Sequence, residues 1–184
     1  MGNDARSTNI VFIGFTAGGK SSVGKAVARL LSLEFRDLDG EAEKVHLAET
    51  GECITCREIY SRYGRERLFE LEGKALERLR WSRYLVLSTG GGAPINERNR
   101  GLIAALGRVV YLCTSPVVIF KRLGARGFPR YLGDSPQLSD VESAYRSRES
   151  LYREIADVIV DNSELTIEEA AEEVCRLLGY VTKQ

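Results

Sequence analysis

Residues Gly14 to Ser22 read Gly-Phe-Thr-Ala-Gly-Gly-Lys-Ser-Ser and directly follow the apolar run Asn9-Ile-Val-Phe-Ile-Gly14. Glycine, four residues, Gly-Lys, then serine, set between a buried strand and a helix, is the phosphate-loop pattern. Glycines let backbone N–H groups turn inward around a phosphate, and the helix N-terminus adds partial positive charge behind it. Ala17, Gly18, Gly19, Lys20, Ser21 and Ser22 form the cradle. Lys20 can reach the outer phosphates, and the Ser21 hydroxyl can ligate Mg²⁺. The stretch Val23-Gly-Lys-Ala-Val-Ala-Arg-Leu-Leu31 continues as a helix. A chain built this way binds a nucleoside triphosphate.

Five short apolar runs fall at Ile10–Gly14, Phe35–Leu38, Tyr84–Ser88, Arg108–Cys113 and Asp157–Asp161, with helical patterns between them. That alternation predicts a parallel sheet covered on both faces, a three-layer α/β/α fold. Ser115-Pro116 reads as an N-cap followed by proline at the first helical position. Thr166 to Glu169 and Ser139 to Glu142 read as capping boxes, and Gly179 as a helix stop. The glycine-, proline- and arginine-rich stretch at about 124–136 reads as a lid within a single domain spanning 9–184. Residues 1–8 read as a loose, disordered tail.

At 184 residues the chain is long enough to enclose a core. Basic and acidic residues balance at 26 each, so no global field points to nucleic acid or a charged membrane. No apolar run is long enough to span a bilayer, and a cytoplasmic enzyme is the default expectation. Cys53 and Cys56 are spaced C-x-x-C, but neither Cys113 nor Cys175 supplies a matching zinc pair. They read as reduced thiols near a helix start. His46, the sole histidine, lies on a charged helical stretch and reads as a surface residue.

Phosphoryl transfer requires held phosphates, a bridging metal, an oriented acceptor and positive charge on the moving group. Arg36-Asp37-Leu38-Asp39 ends the second strand at the carboxyl edge of the sheet, where open α/β folds bind ligands. Positions two apart on a strand project alike, so Asp37 and Asp39 can share one site: one faces the metal, the other the acceptor hydroxyl. The third strand runs into Ser88-Thr-Gly-Gly-Gly-Ala-Pro94. Gly90, Gly91 and Gly92 there bring backbone close to a ligand.

Over Ile10 to about Leu178, these residues resemble the shikimate kinases, a family of small-molecule P-loop kinases. The likeness rests on the phosphate loop, Asp37-Leu-Asp39, Thr50-Gly51 with Glu58-Ile-Tyr60, Gly90-Gly-Gly-Ala93, Arg130, and Arg148 before Leu151-Tyr152. It implies ATP-dependent phosphorylation of the 3-hydroxyl of shikimate, with Mg²⁺, in aromatic amino-acid biosynthesis, by a monomer without nucleic-acid or membrane partners. It casts Asp39 as the base on the accepting hydroxyl and Asp37 as a holder of Mg²⁺ through water. Gly91 donates its N–H to substrate, Arg122 flanks adenine, Arg130 closes over the phosphates, and Arg148 grips the substrate carboxylate.

The chain departs from the family pattern in places. Ala17 stands where glycine is usual, and Arg130-Tyr-Leu-Gly133 replaces Arg-Pro-Leu-Leu. Two extra residues lie across the C-x-x-C, and Asp161-Asn-Ser-Glu-Leu165 lacks the frequent adenine-loop arginine. In the substrate helix, Gly-Glu-x-x-Phe-Arg-x-x-Glu aligns from Gly64 to Glu72, which puts Phe69 at the second carboxylate anchor. Arg65, one turn earlier on the same face, or Arg62 upstream, is the expected replacement. Without one, the alternatives are a kinase for another polyol or sugar acid, or a non-catalytic ATP-binding relative.

Overall fold

The structure is a computed structural model describing residues 8–133 and 135–180. Most of the expected tail (residues 1–7), and Asp134 of the expected lid, lie outside the described residues. Five strands, β1 (Ile10–Ile13), β2 (Glu34–Asp37), β3 (Leu85–Ser88), β4 (Arg108–Cys113) and β5 (Val158–Asp161), form one parallel sheet in the order β2-β3-β1-β4-β5. The helices are α1 (Lys20–Leu31), α2 (Leu38–Thr50), α3 (Cys56–Leu79), α4 (Glu97–Leu106), α5 (Pro116–Arg126), α6 (Leu138–Ile155) and α7 (Ile167–Leu177). The three-layer α/β/α expectation holds.

Alternation along the strands sorts the core. Val11 and Ile13 of β1, with Leu85 and Leu87 of β3, pack against Leu38, Ile59, Leu71 and Ile103 from α2, α3 and α4. Ile10, Phe12 and Val86 point the other way, onto Val23 and Val27 of α1 and Ala171 and Val174 of α7. A third cluster joins Phe15 to Ile119, Leu123, Val141 and Tyr145 of α5 and α6. Chain burial on both sheet faces is what makes the strand runs almost wholly apolar.

Register then decides where function can sit. Phe12 lies level with Ser88, and Asp37 is level with the same Ser88. The ends of β1, β2 and β3 therefore open at one edge, with the phosphate loop, the two aspartates and the glycine run side by side.

Several expectations need correction. Asp39 does not continue the strand: β2 stops at Asp37, whose carboxylate caps α2 by accepting from the Asp39 N–H at 3.2 Å. The two aspartates still converge, because no loop separates strand from helix. Ser139 is not a cap; Gln137 and Asp140 form the box at α6, two residues earlier. The boxes and caps at Ser115 and Thr166 are as expected. Helix α5 runs through Gly124 to Arg126, which shortens the irregular segment to 127–137, with a single 3₁₀ turn at Arg130–Leu132. His46 is buried rather than on the surface, at 1% exposure, with its ring 5.7 Å from that of Tyr63. The charged neighbours that suggested a surface position occupy the outer faces of α2; His46 is on the face turned to α3.

Asn9 is wholly buried and ties the sheet together at its far edge. Its amide donates to the carbonyls of Ser82 (2.8 Å) and Leu106 (3.0 Å) and its oxygen accepts from the Leu85 N–H. Asn9→Ala strands two buried backbone groups and one that is part-buried, so it is expected to cost about 2–3 kcal/mol and lower Tm by roughly 5–10 °C, read by thermal unfolding.

Candidate active site

Three adjoining clefts follow the sheet edge. The first, about 140 Å³, lies between Ala17, Gly19, Arg122, Arg126, Asn162 and Thr166. The second, about 180 Å³, is framed by Gly19, Lys20, Ser21, Asp37, Asp39 and Gly91. The third, about 400 Å³, holds Asp39, Arg65, Phe69, Glu72, Gly91 and Arg148. Gly19 and Arg126 belong to the first two, and Asp39 and Gly91 to the last two. A ligand can thus extend without interruption from one end to the other.

The cradle is built from backbone that cannot carry side chains. A Cβ on Gly18 would lie 2.9 Å from the Phe15 carbonyl, and one on Gly19 would lie 3.0 Å from the Asn162 amide. Gly19 takes φ +94°, where glycine alone is unstrained. Ala17 also adopts a left-handed φ of 61°, a conformation that costs an L-residue about 1–2 kcal/mol. Glycine at this position would avoid that strain. The Ala17 carbonyl accepts from Arg122 Nη1 at 3.3 Å, and Asn162 donates to the Gly18 carbonyl at 2.9 Å. Arg122 lines the first cleft.

Lys20 is 7% exposed and donates from Nζ to the Phe15 carbonyl at 2.8 Å. Burial lowers its pKa to about 8, against the pull of Asp39 and Asp37. An ammonium held this dry gains strongly from an arriving phosphate. Ser21 Oγ donates to Asp37 Oδ2 at 2.8 Å and shares a 3.0 Å hydrogen bond with Ser88. A hydroxyl beside a carboxylate, both hard oxygen donors at the phosphate cleft, suits Mg²⁺ that keeps several of its waters.

Asp39 sits in the first turn of α2, facing the large pocket. Burial, then the charge of Asp37, raises its pKa to about 6, with Lys20 pulling the other way. Sequence reasoning used Glu72 only as a spacing mark, yet it is a site residue. It is 2% exposed, and burial followed by the Asp39 charge raises its pKa to about 8. At neutral pH Glu72 is mostly protonated, and Asp39 carries the charge. A Cβ on Gly90 would lie 2.8 Å from Asp39 Oδ1 and 3.3 Å from Glu72 Oε1, so Gly90 is where backbone meets both acids. Gly91 is equally confined, 2.7 Å from the Thr16 nitrogen by the same measure. Its carbonyl accepts from the buried Tyr152 hydroxyl at 2.6 Å, anchoring α6 to the glycine run. The signal for Glu72 was legible: an acid amid Leu71, Gly73, Ala75 and Leu76 on a core-facing helix side.

The arginines divide. Arg148 lines the large pocket, its guanidinium over the Tyr131 and Phe15 rings. Arg65 lines the same pocket 5.7 Å over the Phe69 ring, whereas Arg62 pairs with Glu52 at 3.6 Å and does not line it. Arg130 is not over the phosphate cradle; its Nη1 donates to Ser61 Oγ at 2.6 Å, at the rim of the acceptor pocket. The basic side chain lining the second cleft from α5 is Arg126, and Arg57 adds another charge to the third. Neither was singled out from sequence, because lone arginines at helix ends carry no pattern. The four cysteines are free thiols, and among the described residues no three acidic, cysteine or histidine side chains cluster as a metal site.

A parallel sheet in this order, a glycine cradle with a buried lysine, and paired carboxylates beside an anion-receptive pocket define a P-loop kinase for a small alcohol. Relatives narrow the class. The family model described as shikimate kinase matches residues 16–178. Shikimate kinase from Thioalkalivibrio sulfidiphilus is 36% identical over 93% of this chain and 87% of that protein. The enzyme of the same name from Geobacter sulfurreducens is 37% identical over 90% of this chain and 88% of its own. The solved structure of Acinetobacter baumannii shikimate kinase in complex with shikimate superposes with TM-score 0.83 at 29% identity, covering 93% of this chain and 92% of that one. The chain belongs to the shikimate kinase family, ATP-dependent phosphotransferases with an alcohol acceptor. A gluconokinase from Sinorhizobium meliloti, at 22% identity and TM-score 0.59, shares the fold.

Activity is expected to rise as pH climbs through about 6, where Asp39 loses its proton, and to fall beyond about 8, where Lys20 loses its charge. The profile of kcat/KM measures both limbs. Asp39→Asn is expected to reduce kcat by about 10²–10⁴-fold while leaving ATP binding intact, checked by turnover and nucleotide titration.

Proposed function

We propose that the protein transfers the terminal phosphoryl group of ATP to the 3-hydroxyl of shikimate. The observation that carries this reading is the continuity of the clefts: Asp39 and Gly91 stand at once in the phosphate site and in the acceptor pocket. An alcohol there meets the base and the terminal phosphate together. Asp39 accepts the hydroxyl proton, and the low dielectric around Lys20 strengthens its hold on the developing phosphate charge. Gly90 and Gly91 present backbone to the acceptor. Ser21 and Asp37 would hold Mg²⁺, which when bound would supply positive charge at the phosphates.

The shikimate carboxylate is met by Arg148 and by Arg65, the latter in place of the anchor lost to Phe69. The family pattern has glutamate at position 65 and arginine at 69; here arginine and phenylalanine stand there. The cation has moved one helical turn along the same face, and its stacking over Phe69 supports this exchange. Arg130 acts as a lid residue at about 124–136, leaving Ser61 for the phosphates as the nucleotide binds, while Arg126 faces the phosphates from α5. The nucleotide and acceptor sites both come from one chain, which supports a monomer, and ATP as co-substrate suits the cytoplasm. No helix among the described residues is long and apolar enough to cross a membrane.

ADP release from MgATP with shikimate, against quinate, gluconate and no acceptor, tests the assignment. Shikimate-dependent release is expected. Phe69 favours a second reading, another polyol acid as acceptor, and release with quinate or gluconate instead would establish it. Arg65→Ala is expected to raise the shikimate KM roughly tenfold to a hundredfold with little change for ATP, as loss of one charge-assisted bond requires; steady-state kinetics decides.

A further inference from the structure

Arg148 reaches the acceptor pocket from α6 and lies in a corner made by two aromatic rings. Its guanidinium carbon is 4.3 Å from the centre of the Tyr131 ring and 5.1 Å from that of Phe15. The rings themselves stand nearly perpendicular, at 77°, with centres 6.5 Å apart. Phe15 is buried in the phosphate loop and forms the fixed wall. Tyr131 is 39% exposed, sits on the 3₁₀ turn between α5 and α6, and forms the second wall. Its hydroxyl reaches Thr16 Oγ1 at 3.3 Å, so this wall is pinned to the phosphate loop.

A guanidinium donates only in its own plane, and ring faces attract the cation without using its N–H groups. Two such faces restrict the long side chain without using its donors; one of these meets the Tyr152 hydroxyl, and the others are left for an anion. Holding an arginine in this way removes much of the ordering cost a carboxylate would otherwise meet on binding. The proline that the family pattern puts at position 131 has no π-face. Phe69, in turn, takes away an anchor. Tyr131 therefore adds a constraint on Arg148, the one anchor kept at its position in the family pattern.

We propose that Tyr131 is an acceptor-positioning residue, holding Arg148 against Phe15 so that its donors meet the acceptor carboxylate. This rests on the reading of the large pocket as the site of a carboxylated alcohol.

The test compares the full chain with Tyr131→Phe, which keeps the ring, and Tyr131→Leu, which keeps apolar bulk without a π-face. Shikimate and its analogue with hydroxymethyl in place of the carboxylate serve as acceptors, each titrated at saturating MgATP. Tyr131→Leu is expected to raise the shikimate KM by roughly five- to thirtyfold, with Tyr131→Phe within about twofold of the unaltered chain. KM for ATP stays within about twofold in both, and the penalty of Tyr131→Leu disappears for the hydroxymethyl analogue. An unchanged shikimate KM in Tyr131→Leu, or an equal rise for both acceptors or for ATP, overturns the proposal. If the unaltered chain itself does not phosphorylate shikimate, the reading of the pocket falls, and this inference with it.

Discussion

The level ends of β1, β2 and β3 are the constraint from which the site follows. Ser88 is paired in register with Phe12 on one side and Asp37 on the other, and its hydroxyl also meets Ser21. A slip of one residue in either pairing would move every side chain to the opposite face, against a different set of helices, so packing on each face locks the register. With it locked, the phosphate loop, the cap of α2 and the glycine run emerge together. Asp37 then has three roles at once, ending the strand, capping the helix and accepting from Ser21.

Around that edge, charge is managed by burial. Lys20, Asp39 and Glu72 all lie in low-dielectric surroundings and shift toward their neutral forms. Mutual attraction keeps Lys20 and Asp39 charged at neutral pH, while Glu72, next to Asp39 and without a cation of its own, retains its proton. The site thus holds one ionised carboxylate and one protonated acid, a division set by environment in residues of the same chemistry. The arginines work differently. They stay near solvent and gain direction from what they stack upon: Arg148 on Phe15 and Tyr131, Arg65 on Phe69.

Much of this was legible in the chain because it depends on local chemistry. The phosphate loop is contiguous, and each of its residues acts within one turn. Three glycines in a row at a strand end announce close approach, and apolar β-branched runs fixed five strands to within a residue or so. Asp37 and Asp39 were correctly brought together, though by a helix cap rather than by strand alternation. Glu72 and His46 were passed over because a charged helix reads as solvated; for Glu72 the apolar neighbours Leu71, Ala75 and Leu76 marked the inward side, whereas for His46 only packing against α3 revealed it.

Sequence by itself determined the sheet-and-helix order, the triphosphate cradle, the carboxylate pair and the family likeness, because short-range sterics and backbone hydrogen bonding write those features into neighbouring residues. Tertiary structure decided which arginines enter the acceptor pocket, and it placed Arg65 there, left Arg62 with Glu52, and set Arg130 against Ser61. It also decided the protonation of Glu72 and the aromatic corner around Arg148. Those outcomes depend on distances between residues remote along the chain, and on how much water is excluded where they meet.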